Sequence, residues 1–167
     1  CKTIYPSFID LFSDFGVKKP ASARGGRGSQ YEPTREGFYW NDHIMPENNA
    51  IDQFSFNAKA AKDLMSQGFG VVNTHIQDGV ARGSGALIAL NAIETDAQRV
   101  LSSRSAQYFS FSKSIMKSQS YPGSLMGAMA LLRQFFSDAN WYGKGNSNTG
   151  DRSIEAFNAQ KNNLAIF

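Results

Sequence analysis

His75, Asp78 and Arg82 stand close together in the segment His75-Ile76-Gln77-Asp78-Gly79-Val80-Ala81-Arg82, with Gly83 and Gly85 just beyond it. An imidazole, a carboxylate and a guanidinium on a glycine-rich turn can orient an anionic or amide group. Arg82 would act as a bidentate donor, and Gly79, Gly83 and Gly85 would let the backbone fold over a ligand without side-chain clashes. The same residues also suit a closed loop, with His75 bonding a backbone carbonyl and Asp78 pairing with Arg82. His43, the other histidine, has no partner at ligand spacing and reads as structural or solvent-facing. Gly83-Ser84-Gly85 lacks the third glycine of a dinucleotide loop, since Ile88 stands there, and a strand rather than a helix is expected to follow. Arg24-Gly25-Gly26-Arg27-Gly28 resembles an RNA-binding RGG segment in a single copy. Lys18, Lys19 and Arg35 add charge that Glu32 and Glu36 offset, so no nucleic-acid partner is expected.

Strands and helices in alternation would position these groups. Thr3 to Phe12 reads as a strand, and Lys18 to Gly37 as a long polar loop. Phe54, Ala58, Ala61 and Met65 recur at helical spacing, which predicts a helix over 52–67, N-capped by Asp52 and stopped by Gly68. Phe69 to His75 follows as a short buried strand. Gly79 to Gly85 reads as a tight turn and Ala86 to Asn91 as a further strand, paired nearby. Residues 96–114 alternate weakly and read as strand or extended loop. Tyr121-Pro122-Gly123 then breaks the chain before a helix over 124–139 with Ser124 as N-cap. Leu125, Met129, Leu132 and Phe136 mark its apolar stripe. Met126, Ala128, Leu131 and Phe135 fill its flanks, and Met126, Met129, Phe135 and Phe136 are expected in the core. Asp151 caps a third helix to about Asn162, and Leu164 to Phe167 starts a last strand. This order makes the chain α/β.

The chain has 167 residues, 41% hydrophobic and 19% charged, enough apolar surface for about one domain and too much for intrinsic disorder. A complete (β/α)8 barrel takes about 250 residues, so the chain is too short to be a whole one. The net charge of +3 is mildly basic and does not by itself imply nucleic acid. No apolar run approaches the ~18–20 residues of a membrane span, so no membrane partner is expected. The single cysteine, Cys1, permits no internal disulfide. A start on cysteine and an end on an apolar strand both suggest a segment of something longer.

Tyr5-Pro6-Ser7-Phe8-Ile9-Asp10-Leu11-Phe12-Ser13-Asp14 resembles the first barrel strand of the amidohydrolase superfamily. There the pattern is Pro-Gly-Phe-Ile-Asp-x-His-x-His, and both histidines bind the catalytic metal. Residues two apart on a strand share a face, so both reach one ion. In this chain those positions fall on Phe12, which has no donor atom, and Asp14, which can serve as one oxygen ligand or as a turn residue ending the strand. Residues 69–91 and 121–140 are similar to the imidazolonepropionase-like branch of the same superfamily.

The resemblance implies the opening part of a (β/α)8 TIM barrel: first strands and helices only, one partial domain over 1–167, a β-hairpin insertion, and a loop insertion over 18–50. It implies metal-dependent hydrolysis of C–N bonds in amides or cyclic amidines, a divalent metal (zinc foremost) in the full-length family, and a small-molecule substrate. The further metal ligands would lie on later strands. The segment alone is therefore expected to be inactive and to bind no metal tightly, and its nearest partner would be the remainder of its own barrel. His75, Asp78 and Arg82 would form the substrate-binding mouth, with Asp14 the one metal-ligand candidate. The alternative is a degenerate barrel with a binding or structural role and no metal chemistry, for which Phe12 speaks. The resemblance admits a periplasmic or secreted setting.

Overall fold

The computed structural model describes residues 3–22, 28–31, 36–91 and 95–167. Cys1, and Arg24, Arg27, Glu32 and Arg35 of the basic loop, lie outside the described residues. The first strand, β1 (Phe8–Ser13), leads through the long connection to helix α1 (Ala58–Ser66) and strand β2 (Phe69–Thr74). Strands β3 (Ala81–Ser84) and β4 (Ala86–Ala89) follow, then the short helix α2 (Asp96–Arg99) and strands β5 (Val100–Ser102) and β6 (Ala106–Phe109). Helices α3 (Leu125–Gly143) and α4 (Arg152–Asn158) precede strand β7 (Leu164–Ile166).

β1 and β2 are parallel, with Phe8 opposite Phe69 and Ser13 opposite Thr74. A parallel pair needs a crossover, and α1 is that crossover. It begins later than the apolar spacing predicts. A short 3-10 turn occupies Ala50–Gln53, Phe54 packs against Phe15, and Asn57 rather than Asp52 caps α1, its Oδ1 accepting the Ala60 N–H at 3.0 Å. Gly68 ends the helix at φ +96°, a backbone conformation that glycine adopts without a Cβ clash.

A partial barrel would set β1, β2 and the terminal strand parallel in one sheet, and the structure departs from that. The strands form two sheets, ordered β1-β2-β4-β5 and β3-β6-β7, and β7 lies parallel to β6. The cause is the segment 81–89. Its second half, β4, pairs antiparallel with β2, and its first half, β3, pairs antiparallel with β6. The glycine-rich stretch read as a tight turn thus carries a strand. The chain passes between the sheets at Gly85, where a Cβ would lie 2.5 Å from the Tyr108 ring and 2.8 Å from Asn73 Oδ1. The Gly85 backbone bonds to Ala106 and Ser105, which lead into β6.

Each sheet has its own core. α1 covers the first around Val72, Ala86 and Ile88. α3 and α4 cover the second around Phe109, Leu131, Phe135 and Ile154. Ser124 caps α3 as expected, accepting the Gly127 N–H at 3.1 Å, and Asp151 caps α4 through the Ile154 N–H at 3.0 Å. The apolar stripe of α3 is rotated from the one read in the sequence. Ala128, Leu131, Leu132, Phe135 and Ala139 face inward, whereas Leu125, Met126 and Met129 are exposed. Residues 39–50 of the long connection are largely packed: Ile44 and Asn49 bridge to Ala81 and Ser84, and Asn41, His43 and Ala50 are fully buried. Among the described residues, no helix is long and apolar enough to cross a membrane.

Candidate functional site

Parallel strands bring their C-terminal ends together. The β1–β2 ladder runs one step past β2, where the His75 N–H donates to the Ser13 carbonyl at 3.0 Å. His75 therefore stands beside the end of β1, close enough to Asp14 for that charge to act on its imidazole. Side chains two apart share a strand face, which sets His75 against Phe12 of β1 and Tyr108 of β6. The His75 ring lies flat on Tyr108, centroids 3.7 Å apart and planes 2° from parallel. Phe12 meets it edge-on at 4.5 Å. Tyr108 is itself fixed, its hydroxyl donating to the Leu11 carbonyl. Burial, with the Asp10 charge adding to it, raises the pKa of that hydroxyl.

Arg82, on β3, reaches back to this cluster. Its Nε donates to the Gly79 carbonyl at 3.3 Å, its Nη1 lies 3.4 Å from His75 Nε2, and its Cζ stands 5.9 Å from the centre of the Phe12 ring. Arginine only donates, so His75 Nε2 accepts and the ring hydrogen sits on Nδ1. Nδ1 is buried, and the ring also has a backbone hydrogen bond with Ser13. Burial lowers the His75 pKa to about 4, helped by the Arg82 charge and opposed by the Asp14 charge and the Ser13 backbone bond. The ring is therefore neutral near pH 7.

Asp78 does a different job. The Ser114 hydroxyl donates to its Oδ2, and the Ile115 N–H donates to Oδ1 at 2.8 Å. The carboxylate is 3% exposed and is occupied by the 114–115 backbone turn rather than by Arg82. His43 works beside it. Its Nδ1 accepts the Ser114 N–H at 3.0 Å, and its Nε2 donates to the Gln119 carbonyl at 2.9 Å. Burial lowers the His43 pKa, against the Gln119 bond. Of the residues singled out in the sequence, His75 and Arg82 meet directly, and Asp78 is turned to the loop. Asp14 is 44% exposed and pairs with Lys19 at 3.3 Å. It lines an open groove of about 1090 Å³ with Phe12, Asn57 and Asp63. Tyr108 and Ser114 were not singled out by sequence; the signal for Tyr108 was the apolar alternation around it.

The donor set does not fit a divalent ion held by the first strand. Phe12 offers no donor atom, His75 Nε2 is turned to a cation, and a second positive charge beside Arg82 would be repelled. Among the described residues, no three His, Cys, Asp or Glu side chains converge on a metal position.

No protein-family model matches the chain, and no curated protein does. Among solved structures the chain is similar to an amidohydrolase from Thermotoga maritima MSB8, with a TM-score of 0.61 and 18% identity over 91% of this chain. The chain spans 41% of the length of that structure. At this identity the likeness is one of fold: a mixed α/β arrangement, distantly amidohydrolase-like.

Proposed function

We propose that this chain is the opening section of an amidohydrolase-like (β/α)8 barrel. Its part in hydrolysis of C–N bonds, in amides or cyclic amidines, is to hold the polar end of a small-molecule substrate. The observation that carries this reading is the contact of Arg82 with His75, 3.4 Å apart at the C-terminal end of two parallel strands. In a barrel that end is the one where chemistry is done. Arg82 grips the substrate, His75 holds Arg82 in place, and Asp78 anchors the neighbouring loop. Any divalent metal, zinc foremost, would take its ligands from later strands, with Asp14 at most one oxygen donor.

Exposed side chains on both faces of β1, Phe8 and Ile9 among them, support packing against the remainder of the same barrel. The test is Arg82→Ala in the chain assembled with that remainder. A fall in kcat/KM of at least about tenfold with an unchanged melting temperature is expected. Equal loss of activity and stability would assign Arg82 to the scaffold instead.

A second reading has its own observation. Phe12, packed edge-on against His75, favours a degenerate barrel with a binding or structural role and no metal chemistry. An assembled protein that turns over no amide or cyclic amidine with any added divalent ion would support it.

A further inference from the structure

A cavity of about 320 Å³ lies between the two helices α3 and α4 and residues 38–40 of the long connection. Its walls are aromatic: Trp141 and Tyr142 from the end of α3, Phe38 and Trp40 from the connection. Asp138 precedes Trp141 and Tyr142 at helical spacing, which puts all three on one face of α3. Asp151, the cap of α4, lines the cavity from the other helix. No basic side chain is part of the lining. Among the described residues neither carboxylate has an ion pair, and Glu47 and Glu155 act on Asp151 with like charge. Arg152 stands 5.7 Å from the centre of the Phe38 ring and is not in the lining. The walls are held in place. Trp40 stacks on Tyr121 with centroids 6.2 Å apart, and its indole N–H bonds the Tyr39 hydroxyl. That hydroxyl donates to Asp138 Oδ2 at 2.7 Å. The Tyr142 hydroxyl donates to Glu155 at 2.7 Å, and the Ser147 hydroxyl to the Thr149 carbonyl at 3.0 Å. These donors are spent within the fold, and the walls offer a guest above all ring faces and negative charge.

We infer that this cavity binds a small quaternary ammonium ion, a cation clothed in methyl groups. Aromatic faces attract such an ion through their quadrupoles, and it carries no N–H that must find an acceptor. A metal ion or a primary ammonium asks for direct oxygen ligands. Asp138 and Asp151 already accept from Tyr39 and from backbone N–H groups of α4, so they serve as nearby charge. A sugar needs free donors as well as acceptors, and an anion would be repelled. The cavity has no residue in common with the His75–Arg82 cluster, so the failure of either reading leaves the other standing.

Trp40 and Trp141 are the two tryptophans of the chain, so tryptophan emission reads this cavity. The test is titration of the chain with choline chloride at constant ionic strength, set against dimethylbutanol, the same shape with carbon in place of the charged nitrogen. Choline gives a saturable change in emission, and the alcohol binds at least about tenfold more weakly. Trp40 also borders a neighbouring cavity with Tyr31 and Tyr121, and Trp141 does not. Trp141→Leu, at a position 54% exposed, therefore separates the two. Read from Trp40, it weakens choline by at least about fivefold with the melting temperature unchanged. Asp138→Asn, which keeps an acceptor for Tyr39, weakens choline by a similar factor. Should it not fold, Asp151→Asn, which keeps a capping side chain, takes its place. Equal affinities for choline and the alcohol, or no saturable change with choline, would overturn the site. So would a choline affinity untouched by Trp141→Leu or by loss of the aspartate charge. Methyl glucoside saturating the emission where choline does not would give the cavity to a sugar instead.

Discussion

Two buried histidines lie at the same end of this molecule and live differently. His43 has both ring nitrogens bonded, one to the Ser114 N–H and one to the Gln119 carbonyl. His75 has one nitrogen facing the Arg82 cation, and its ring has a backbone hydrogen bond with Ser13. Beside His43, Asp78 accepts from Ser114 and Ile115, so Asp78 from the turn after β2 and His43 from the long connection together hold residues 114–119. Around His75, Arg82 bonds only the Gly79 carbonyl and His75 among the described residues and keeps further N–H donors. A satisfied cluster spends its hydrogen bonds on the fold, and a cluster with spare donors keeps them for something outside it. Asp78 and His75 are three residues apart in sequence, yet the Asp78 carboxylate bonds the 114–115 turn while His75 contacts Arg82.

The largest effect is expected in the locked region. Asp78→Ala leaves the Ser114 hydroxyl and the Ile115 N–H buried without their charged acceptor. It should cost roughly 3–5 kcal/mol of unfolding free energy in urea titrations. A loss below about 1 kcal/mol would mean that the carboxylate is free for a ligand after all.

Acid comes next. The folded His75 pKa, about 4, lies below the unfolded value of 6.5. The unfolded chain then binds the extra proton, so stability is full above pH 6.5 and falls as the pH drops towards 4. The loss through this one ring is about 3 kcal/mol. His43, also lowered, adds in the same direction. In His75→Phe, which keeps a flat ring on Tyr108, the pH slope should flatten over that window. An unchanged slope would show His75 to be solvated. Truncation of the satisfied ring, His43→Ala, should cost roughly 2 kcal/mol, because it orphans two buried backbone groups. The smallest effect belongs to Asp14→Ala. It removes a surface pair with Lys19 and should shift stability near neutral pH, where His75 is uncharged, by no more than about 0.5 kcal/mol.

Much of this was legible from local pattern. Ser124 and the Tyr121-Pro122-Gly123 break placed α3, and Gly68 placed the end of α1, because caps and stops act within one turn of chain. The β1–α1–β2 unit followed from a helix that ends on glycine and runs straight into a strand. The start of α1 was misplaced: Phe54 keeps helical phase with Ala58 but packs on Phe15 instead, and Asn57 competes as the cap. β3 was hidden because its partners, β6 and the 44–49 segment, are distant in sequence. In the site, His75 and Arg82 stood out by residue type and spacing. The use of Asp78 by Ser114 and the stacking of Tyr108 did not, since both depend on where the 81–89 segment carries the chain.

The contrast between the two rings can be read directly from nitrogen NMR of the imidazoles near neutral pH, with two histidines to assign. The arrangement predicts two neutral rings in opposite tautomers. His43 carries its hydrogen on Nε2, the nitrogen that donates to Gln119, and His75 carries its hydrogen on Nδ1, because Arg82 donates to the other nitrogen. A charged His75 ring, or one with its hydrogen on Nε2, would contradict the account, since Arg82 could then not be held where it is.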